Sequence, residues 1–370
     1  MLLIDNPTVE KVLTMRDCID IQERAFLGLP GGASVHRPRI DVYVPTEKEP
    51  EGYWRWGTME GASKDLGVFA IRMKSDVITW PSHPDGTSTE EKYCVEPGTF
   101  CGLVMLFSTY NGEPLAMIND GVIQHMRVGG GAGLGAKYLA REDAHVVGMI
   151  GSGGMARTYL QAFASVRDIR KVRVYSPTKA HREEYAAEMA AKLGIEVEPV
   201  SSAEDAVRGA DIVSTCTDSN LAVIDAAWLE PGMHVTDVNG SELPREVYQR
   251  ADVIVKQGTS GLAMPDGNDR MRAGVGHSPG AYIAGSEEEM KRLPPVTTPS
   301  ENRSGKYPTF VDLATGAVKR TSPAQVTLYM NSGNQGLQFA AVGALVYQKC
   351  KEQELGHPLP TEWFLQDIRD

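Results

Sequence analysis

From about residue 146 the apolar positions alternate between two rhythms. Val146-Val147-Gly148-Met149-Ile150 is a short unbroken run, the pattern of a strand buried on both faces. Met155, Ala156, Tyr159, Leu160 and Phe163 then recur at the spacing of one helical face. "KVRVYS" predicts the next strand, and "AHREEYAAEMAAKLG" predicts a helix stopped by Gly194. "IEVEPV" predicts a strand, "SAEDAVRGA" a helix capped by Ser202, and "DIVSTCT", "MHVTDVNG" and "DVIVKQG" further strands. Strands that alternate with helices in this way predict a Rossmann-type, doubly wound parallel sheet of the α/β class.

The first 125 or so residues have another rhythm. "RPRIDVYVP", "GVFAIRMKSDVITW" and "TFCGLVMLFSTYNGEPLAMIND" read as strands divided by turns such as Asn111-Gly112, which predicts a mixed α+β unit. The stretch 259–309 is rich in Gly, Pro and Ser and reads as loop, most clearly in "RLPPVTTPSENRSGKYP". "GLQFAAVGALVYQKCKEQELG" predicts a long amphipathic helix that returns to pack on the first unit. At 370 residues, two domains are expected.

Composition narrows the partners. A net charge of −11 argues against nucleic acid or an anionic membrane, while leaving room for a local basic pocket that takes a small anion. No apolar run is long enough for a membrane span, and the N-terminus lacks a secretion signal. Cys18, Cys94, Cys101, Cys216 and Cys350 are odd in number and scattered, which suggests reduced thiols, a cytoplasmic setting and no bound metal.

Gly151-Ser152-Gly153-Gly154-Met155-Ala156 follows a predicted strand and opens a predicted helix, a G-x-G-x-x-A pattern. Such a turn lets backbone N–H groups and a helix N-terminus approach a dinucleotide's pyrophosphate. The second strand of the series would normally end in an acid that holds the ribose hydroxyl of NAD. Here it ends in Tyr175-Ser176-Pro177-Thr178-Lys179, with Arg182 close behind. Ser176, Thr178, Lys179 and Arg182 suit a 2′-phosphate, so NADP(H) is expected over NAD(H). Arg39, Lys74 and Arg127 are candidate anchors for a substrate carboxylate, Arg127 because it precedes a glycine run between the two units, and Lys74 is a candidate catalytic residue as well. Asp237-Val238-Asn239-Gly240-Ser241-Glu242 follows a strand end where open α/β sheets bind ligands, so Glu242 is a candidate for moving a proton at a substrate nitrogen, with Asp237 as the alternative.

Together these pieces resemble the ornithine cyclodeaminase/μ-crystallin family. The resemblance is carried by "GLVMLFSTYNGEPLAMINDGVIQHMRVGGGAGLGAKYLA", "VVGMIGSGGMA", "ADIVSTCTDSN", "LEPGMHVTDVNGSELPREV" and "VTLYMNSGNQGLQFAAVGALVYQKC". It implies a Rossmann domain, residues 128–320, inserted in a substrate and dimerisation domain made of 1–127 and 321–370. It further implies a homodimer that reduces imines or oxidises amines of amino acids with NAD(P). Arg39, Lys74 and Arg127 match the family's carboxylate-binding cations, and Gly151, Gly153 and Ala156 match its cradle. Thr217 and Ser332 match residues beside the cofactor, and Val238 and Asn239 fall at its end of the strand. Three departures stand out. Glu242 replaces the family's aspartate, Val128 replaces a threonine after Arg127, and Phe339 occupies a late acidic position. The loops 82–99 and 259–309 are longer than the pattern. The leading expectation is an imine reductase or amino-acid dehydrogenase with a small amino, imino or keto acid as substrate. A cyclodeaminase and a non-catalytic NADPH-binding protein are the alternatives.

Overall fold

The computed structural model describes residues 1–47, 51–82, 89–258, 270–275, 278–294, 299, 301–302 and 306–368. Two sheets organise them. The first is wholly parallel and runs Glu196–Pro199, Lys171–Tyr175, Val146–Ile150, Ile212–Thr215, His234–Asp237, Thr327–Met330, Val253–Lys256 across its width. Every residue of Ile212–Thr215, His234–Asp237 and Thr327–Met330 is buried, as expected of strands covered on both faces. Strand order reverses at Val146–Ile150, whose carboxyl end leads into the glycine turn. The predicted caps are present: Gly194 takes the left-handed conformation (φ 68°) and Ser202 accepts from Asp205 N.

The second sheet is mixed. Its order is Met271–Val275, Ser278–Ile283, Ser34–Pro45, Tyr53–Ser63, Val68–Thr79, Cys101–Ser108, Pro114–Asn119, Leu2–Ile4, His357–Pro358. Two stretches read as loop are therefore partly strand. The Met271–Val275 and Ser278–Ile283 hairpin adds to the free edge of Ser34–Pro45 and buries Val275, Ala281 and Ile283 against Tyr43, Tyr53 and Ile78. Glu91–Cys94 pairs with the end of Val68–Thr79. Gly274, Pro279 and Gly280 lie within the two strands of the 259–309 stretch, which is why its composition reads as loop. The remaining parts of both loops, 83–88, 259–269, 276–277, 295–298, 300 and 303–305, lie outside the described residues.

Sheet membership also divides the chain differently from the expected boundaries. Met271–Val275 and Ser278–Ile283 belong to the mixed sheet, whereas Thr327–Met330 sits inside the parallel one. One unbroken helix, Asp120–Leu139, runs through position 127. It lies beside the cradle helix, Gly154–Val166, and glycines make the approach possible. A Cβ on Gly129 would lie 2.7 Å from the Thr158 backbone, and one on Gly133 would lie 3.0 Å from Ala162 Cβ.

The late helix, Gln335–Glu352, packs on strands Tyr53–Ser63 and Val68–Thr79, as expected of a segment returning to the first unit. It is not amphipathic over its first half. Gly336 to Ala344 are all buried, because helices Met15–Leu27 and Asp120–Leu139 cover the side that the sheet does not.

Candidate active site between the two sheets

The glycine turn has the form a dinucleotide needs. Gly151 has φ 105°, and a Cβ there would collide with the Cys216 carbonyl, so no other residue fits. Around Gly153 a Cβ would meet nothing within 4 Å. Gly153 caps the cradle helix without a side-chain bond, and Gly154, its first residue, is exposed. The first N–H groups of a 13-residue helix therefore face open space beside a backbone that can be closely approached. Ala156 is fully buried, letting the helix seat on the sheet, while Met155 is half-buried. These residues fit a pyrophosphate.

At the next strand end, Ser152 Oγ donates to Ser176 Oγ at 3.0 Å. Arg182 folds back, its Nη1 donating to the Ser176 carbonyl at 2.8 Å and its guanidinium lying 5.7 Å from the Tyr175 ring centre. Thr178 and Lys179 are exposed, and Lys179 reaches Glu183 at 3.6 Å.

The acid expected to move a proton is placed otherwise. Glu242 has no solvent exposure. Its Oε1 accepts from Thr217 N (2.5 Å) and Thr217 Oγ1 (2.7 Å), and its Oε2 from Asn239 N (2.9 Å), Val238 N (3.2 Å) and Thr215 Oγ1 (3.2 Å). The carboxyl group ties two adjacent strand ends together. Burial, with a smaller push from Asp237, raises its pKa to about 7 against those five donors. Asp237 is also buried, which raises it to about 6, and it accepts from Asn331 N at 3.4 Å. Neither the expected role of Glu242 nor that of Asp237 matches these enclosed positions; Glu242 acts on the loops around Thr217, Val238 and Asn239, and Asp237 on the backbone at Asn331. Glu242→Gln would turn an amide N–H₂ toward backbone donors. We expect it to cost about 2–3 kcal/mol in urea unfolding, the penalty of leaving buried donors unsatisfied; an unchanged midpoint would contradict the capping role. Ser332 contributes main-chain bonds: its N donates to the Met330 carbonyl (2.8 Å), and its own carbonyl accepts from Gly258 N (3.1 Å).

The three expected cations do come together, with two more that the sequence reading missed. On Val68–Thr79 every second residue is buried, so Arg72, Lys74 and Asp76 point inward with Ala70 and Ile78. Arg55 pairs opposite Asp76 on the neighbouring strand. Most of this charge is compensated. Arg39 makes two bonds to Asp41 (2.9 and 2.6 Å), and Ser278 of the inserted hairpin also bonds that acid. Arg55 makes two to Asp76 (2.9 and 2.6 Å) and one to Glu90 (3.2 Å). Arg72 pairs with Asp120 at 2.6 Å, and Lys74 with Asp76 at 2.8 Å. Burial and then Arg55 hold the Lys74 pKa well below the usual lysine value.

Arg127 is different. It is 7 % exposed, and its partners are neutral: Nη1 donates to Gln338 Oε1 and Nη2 to Gln124 Oε1, both at 2.9 Å. Its Nε is buried without a partner among the described residues. Burial and then Arg72 press on its charge, lowering its pKa. Two aromatic rings line the group. Phe339 lies 5.0 Å from Arg127 and 5.6 Å from Arg72, and Phe100 lies 4.9 Å from Lys74 and 5.6 Å from Arg72. Two positions further along the same helix, Gly129 touches the cradle helix, so the cation cluster and the dinucleotide turn share one rigid element. Among the described residues no cluster of His, Cys, Asp and Glu suits a metal, and no helix is long and apolar enough to cross a membrane.

Comparison with known proteins agrees with this geometry. The sequence profile of the ornithine cyclodeaminase/mu-crystallin family matches residues 5–354. An alanine dehydrogenase of Archaeoglobus fulgidus is 30% identical over 260 residues, covering 69% of this chain and 73% of that protein. A Δ1-pyrroline-2-carboxylate reductase of Bacillus cereus is 33% identical over 162 residues, 42% of this chain and 50% of that one. The Δ1-pyrroline-2-carboxylate reductase of Thermococcus litoralis, solved with NADH and L-proline, superposes with a TM-score of 0.74 at 25% identity, covering 97% of this chain and all of that one (100%). With the profile spanning nearly the whole length, over a fold and a turn of the form just described, the chain belongs to the ornithine cyclodeaminase/mu-crystallin family.

Proposed function

We propose that this chain is a nicotinamide-dependent imine reductase or amino-acid dehydrogenase that acts on a small α-imino or α-keto acid, with NADP(H) preferred over NAD(H). The observation that carries the reading is Arg127: a buried guanidinium touched, among the described residues, only by amides and an aromatic ring, beside cations already paired. A buried charge of that kind is costly until an anion joins it, and a substrate carboxylate matches its fork. Arg39 and Lys74 border the same position. Gly151, Ser152, Gly153, Gly154, Met155 and Ala156 would hold the pyrophosphate, and Ser176 and Arg182, with Thr178 and Lys179, the adenosine ribose phosphate.

When bound, a reduced nicotinamide supplies hydride to the imine carbon. The chain's own contribution is orientation and a proton. Lys74, whose burial makes its ammonium a readier acid, delivers the proton to the imine nitrogen, giving the amine. Phe100 and Phe339 keep water from the reacting centre. Thr217, Val238 and Asn239, held by Glu242, shape the cofactor's end of the cleft. Asp41, Asp76 and Asp120 are each engaged by a cation, so none of the three is free to hold the second ammonium of a diamine, which disfavours the cyclodeaminase alternative.

A homodimer would cover the outer face of the mixed sheet. Val42 and Val44 pair there with Trp56 and Trp54, and Val42, Val44 and Trp54 are exposed.

The test is oxidation of NADPH and of NADH by the chain with small keto acids plus ammonia or methylamine, and with cyclic imino acids. Turnover with at least one substrate and tighter binding of NADPH are expected. Cofactor binding without turnover across the panel would overturn the enzymatic reading, and equal or tighter binding of NADH would overturn the NADP preference.

A further inference from the structure

We propose that His125 contacts the dinucleotide's pyrophosphate and takes up a proton when the cofactor binds. The inference rests on the dinucleotide reading above and adds a residue that the G-x-G-x-x-A pattern does not contain.

The argument starts from the seam between helices Asp120–Leu139 and Gly154–Val166. Positions 125, 129 and 133 of the first face 154, 158 and 162 of the second. At 129 and 133 the residue is glycine, because the backbones touch there. At 125, one turn nearer the open end, it is histidine, and the glycine is on the opposite helix. A Cβ on Gly154 would lie 2.8 Å from His125 Nε2, 3.2 Å from its Cδ2 and 3.3 Å from its Cε1. The imidazole therefore lies over the first residue of the cradle helix, at the edge of the open space around Gly153. It is half-buried, and the Gly121 carbonyl one turn back favours its charged form.

Proton number follows from donor number. A neutral imidazole has one N–H, for which the Gly121 carbonyl competes. A further hydrogen bond donated to a phosphate oxygen requires the imidazolium. Without a bound anion the imidazolium is disfavoured: burial lowers the His125 pKa, Arg127 opposes the charge, and the N–H groups at the start of the opposing helix do the same. Asp120 and the Gly121 carbonyl oppose that lowering. Gly154, across the seam, brings no side-chain charge. A pyrophosphate between these groups reverses the balance, so its binding draws a proton onto the ring. The sign is then set. Affinity is highest below the free-state pKa and falls as pH rises through the bound-state pKa.

The experiment uses the full chain and NADH, which lacks the 2′-phosphate and its own titration near neutral pH. Dissociation constants are read from nicotinamide fluorescence between pH 5.5 and 8.5, and proton uptake from titration calorimetry in two buffers of different ionisation enthalpy. For the wild type, affinity should weaken about tenfold across that range, one pKa unit of coupling, with net proton uptake. His125→Asn keeps a donor for Gly121 but cannot titrate; its affinity should be flat with pH and its uptake lost. His125→Gln, with the same expectation, guards against a folding defect in one variant. The same pH slope in His125→Asn and in the wild type, or no proton uptake in the wild type, would overturn the proposal while leaving the dinucleotide reading intact. Failure of the wild type to bind either NADH or NADPH would overturn that reading and this inference together.

Discussion

Arg127→Met is expected to lower kcat/KM for the imino- or keto-acid substrate about a thousandfold, roughly 4 kcal/mol, the scale of removing one partner of a buried charge pair. The same substitution should leave the chain at least as stable to urea as before. The two effects have one origin. Arg127 is a buried cation with no carboxylate partner among the described residues, held by Gln338, Gln124 and the face of Phe339. Methionine fills a similar length, packs on the same ring and needs no counter-charge. Gln124 can turn to water, and Gln338 keeps its bonds to the Gln22 side chain (2.6 Å) and the Arg127 carbonyl (2.9 Å). Cofactor affinity should change less than about threefold, because the cradle is untouched. Steady-state kinetics paired with urea unfolding decide the matter. Retained activity would mean that the substrate carboxylate lies elsewhere, and a large loss of stability would mean that the guanidinium is structural.

The second large effect is expected from Gly336→Ala. Gly336 opens the late helix against strand Tyr53–Ser63, and a Cβ there would run into the Glu60 main-chain carbonyl. The contact is mutual, since a Cβ on Gly61 would lie 2.5 Å from the Gly336 carbonyl carbon. Both partners are backbone within rigid elements, so neither can rotate away. A loss of about 3 kcal/mol or more follows, at or beyond the top of the usual range for overpacking a core, because backbone meets backbone. Activity should fall with it, because the displaced helix carries Gln338 and Phe339. Gly343→Ala on the same helix is the control. Its Cβ would meet only the tip of Leu106, at 3.1 Å, and should cost about 1 kcal/mol or less. Equal stabilities for the two variants would show that the helix is free to shift.

Several features of the site were legible because they depend on near neighbours. The alternating half, the cap at Ser202, the stop at Gly194 and the glycine turn follow from spacing within a few residues. The inward alternation of Arg72, Lys74 and Asp76 between Ala70 and Ile78 was equally legible, yet only Lys74 was singled out from it. Arg55 carried no comparable mark; its importance comes from lying opposite Asp76. Gln338 likewise gains its role by reaching across to Arg127, from 211 positions away in the chain. The strands within 259–309 were masked by turn-forming residues and exist because a neighbouring sheet offers them an edge.

Periodicity and turn chemistry in the linear chain were thus enough to specify the α/β class, the dinucleotide turn and the presence of a basic group near it. Compensation of charge was settled in three dimensions. It depends on which carboxylate reaches which cation, and those pairs are made across strand registers that no local pattern encodes. That is why Arg39, Lys74 and Arg127 looked equivalent as letters, while folding left Arg127 alone among them without an acid partner among the described residues, and why Glu242, at a promising strand end, is enclosed by five donors.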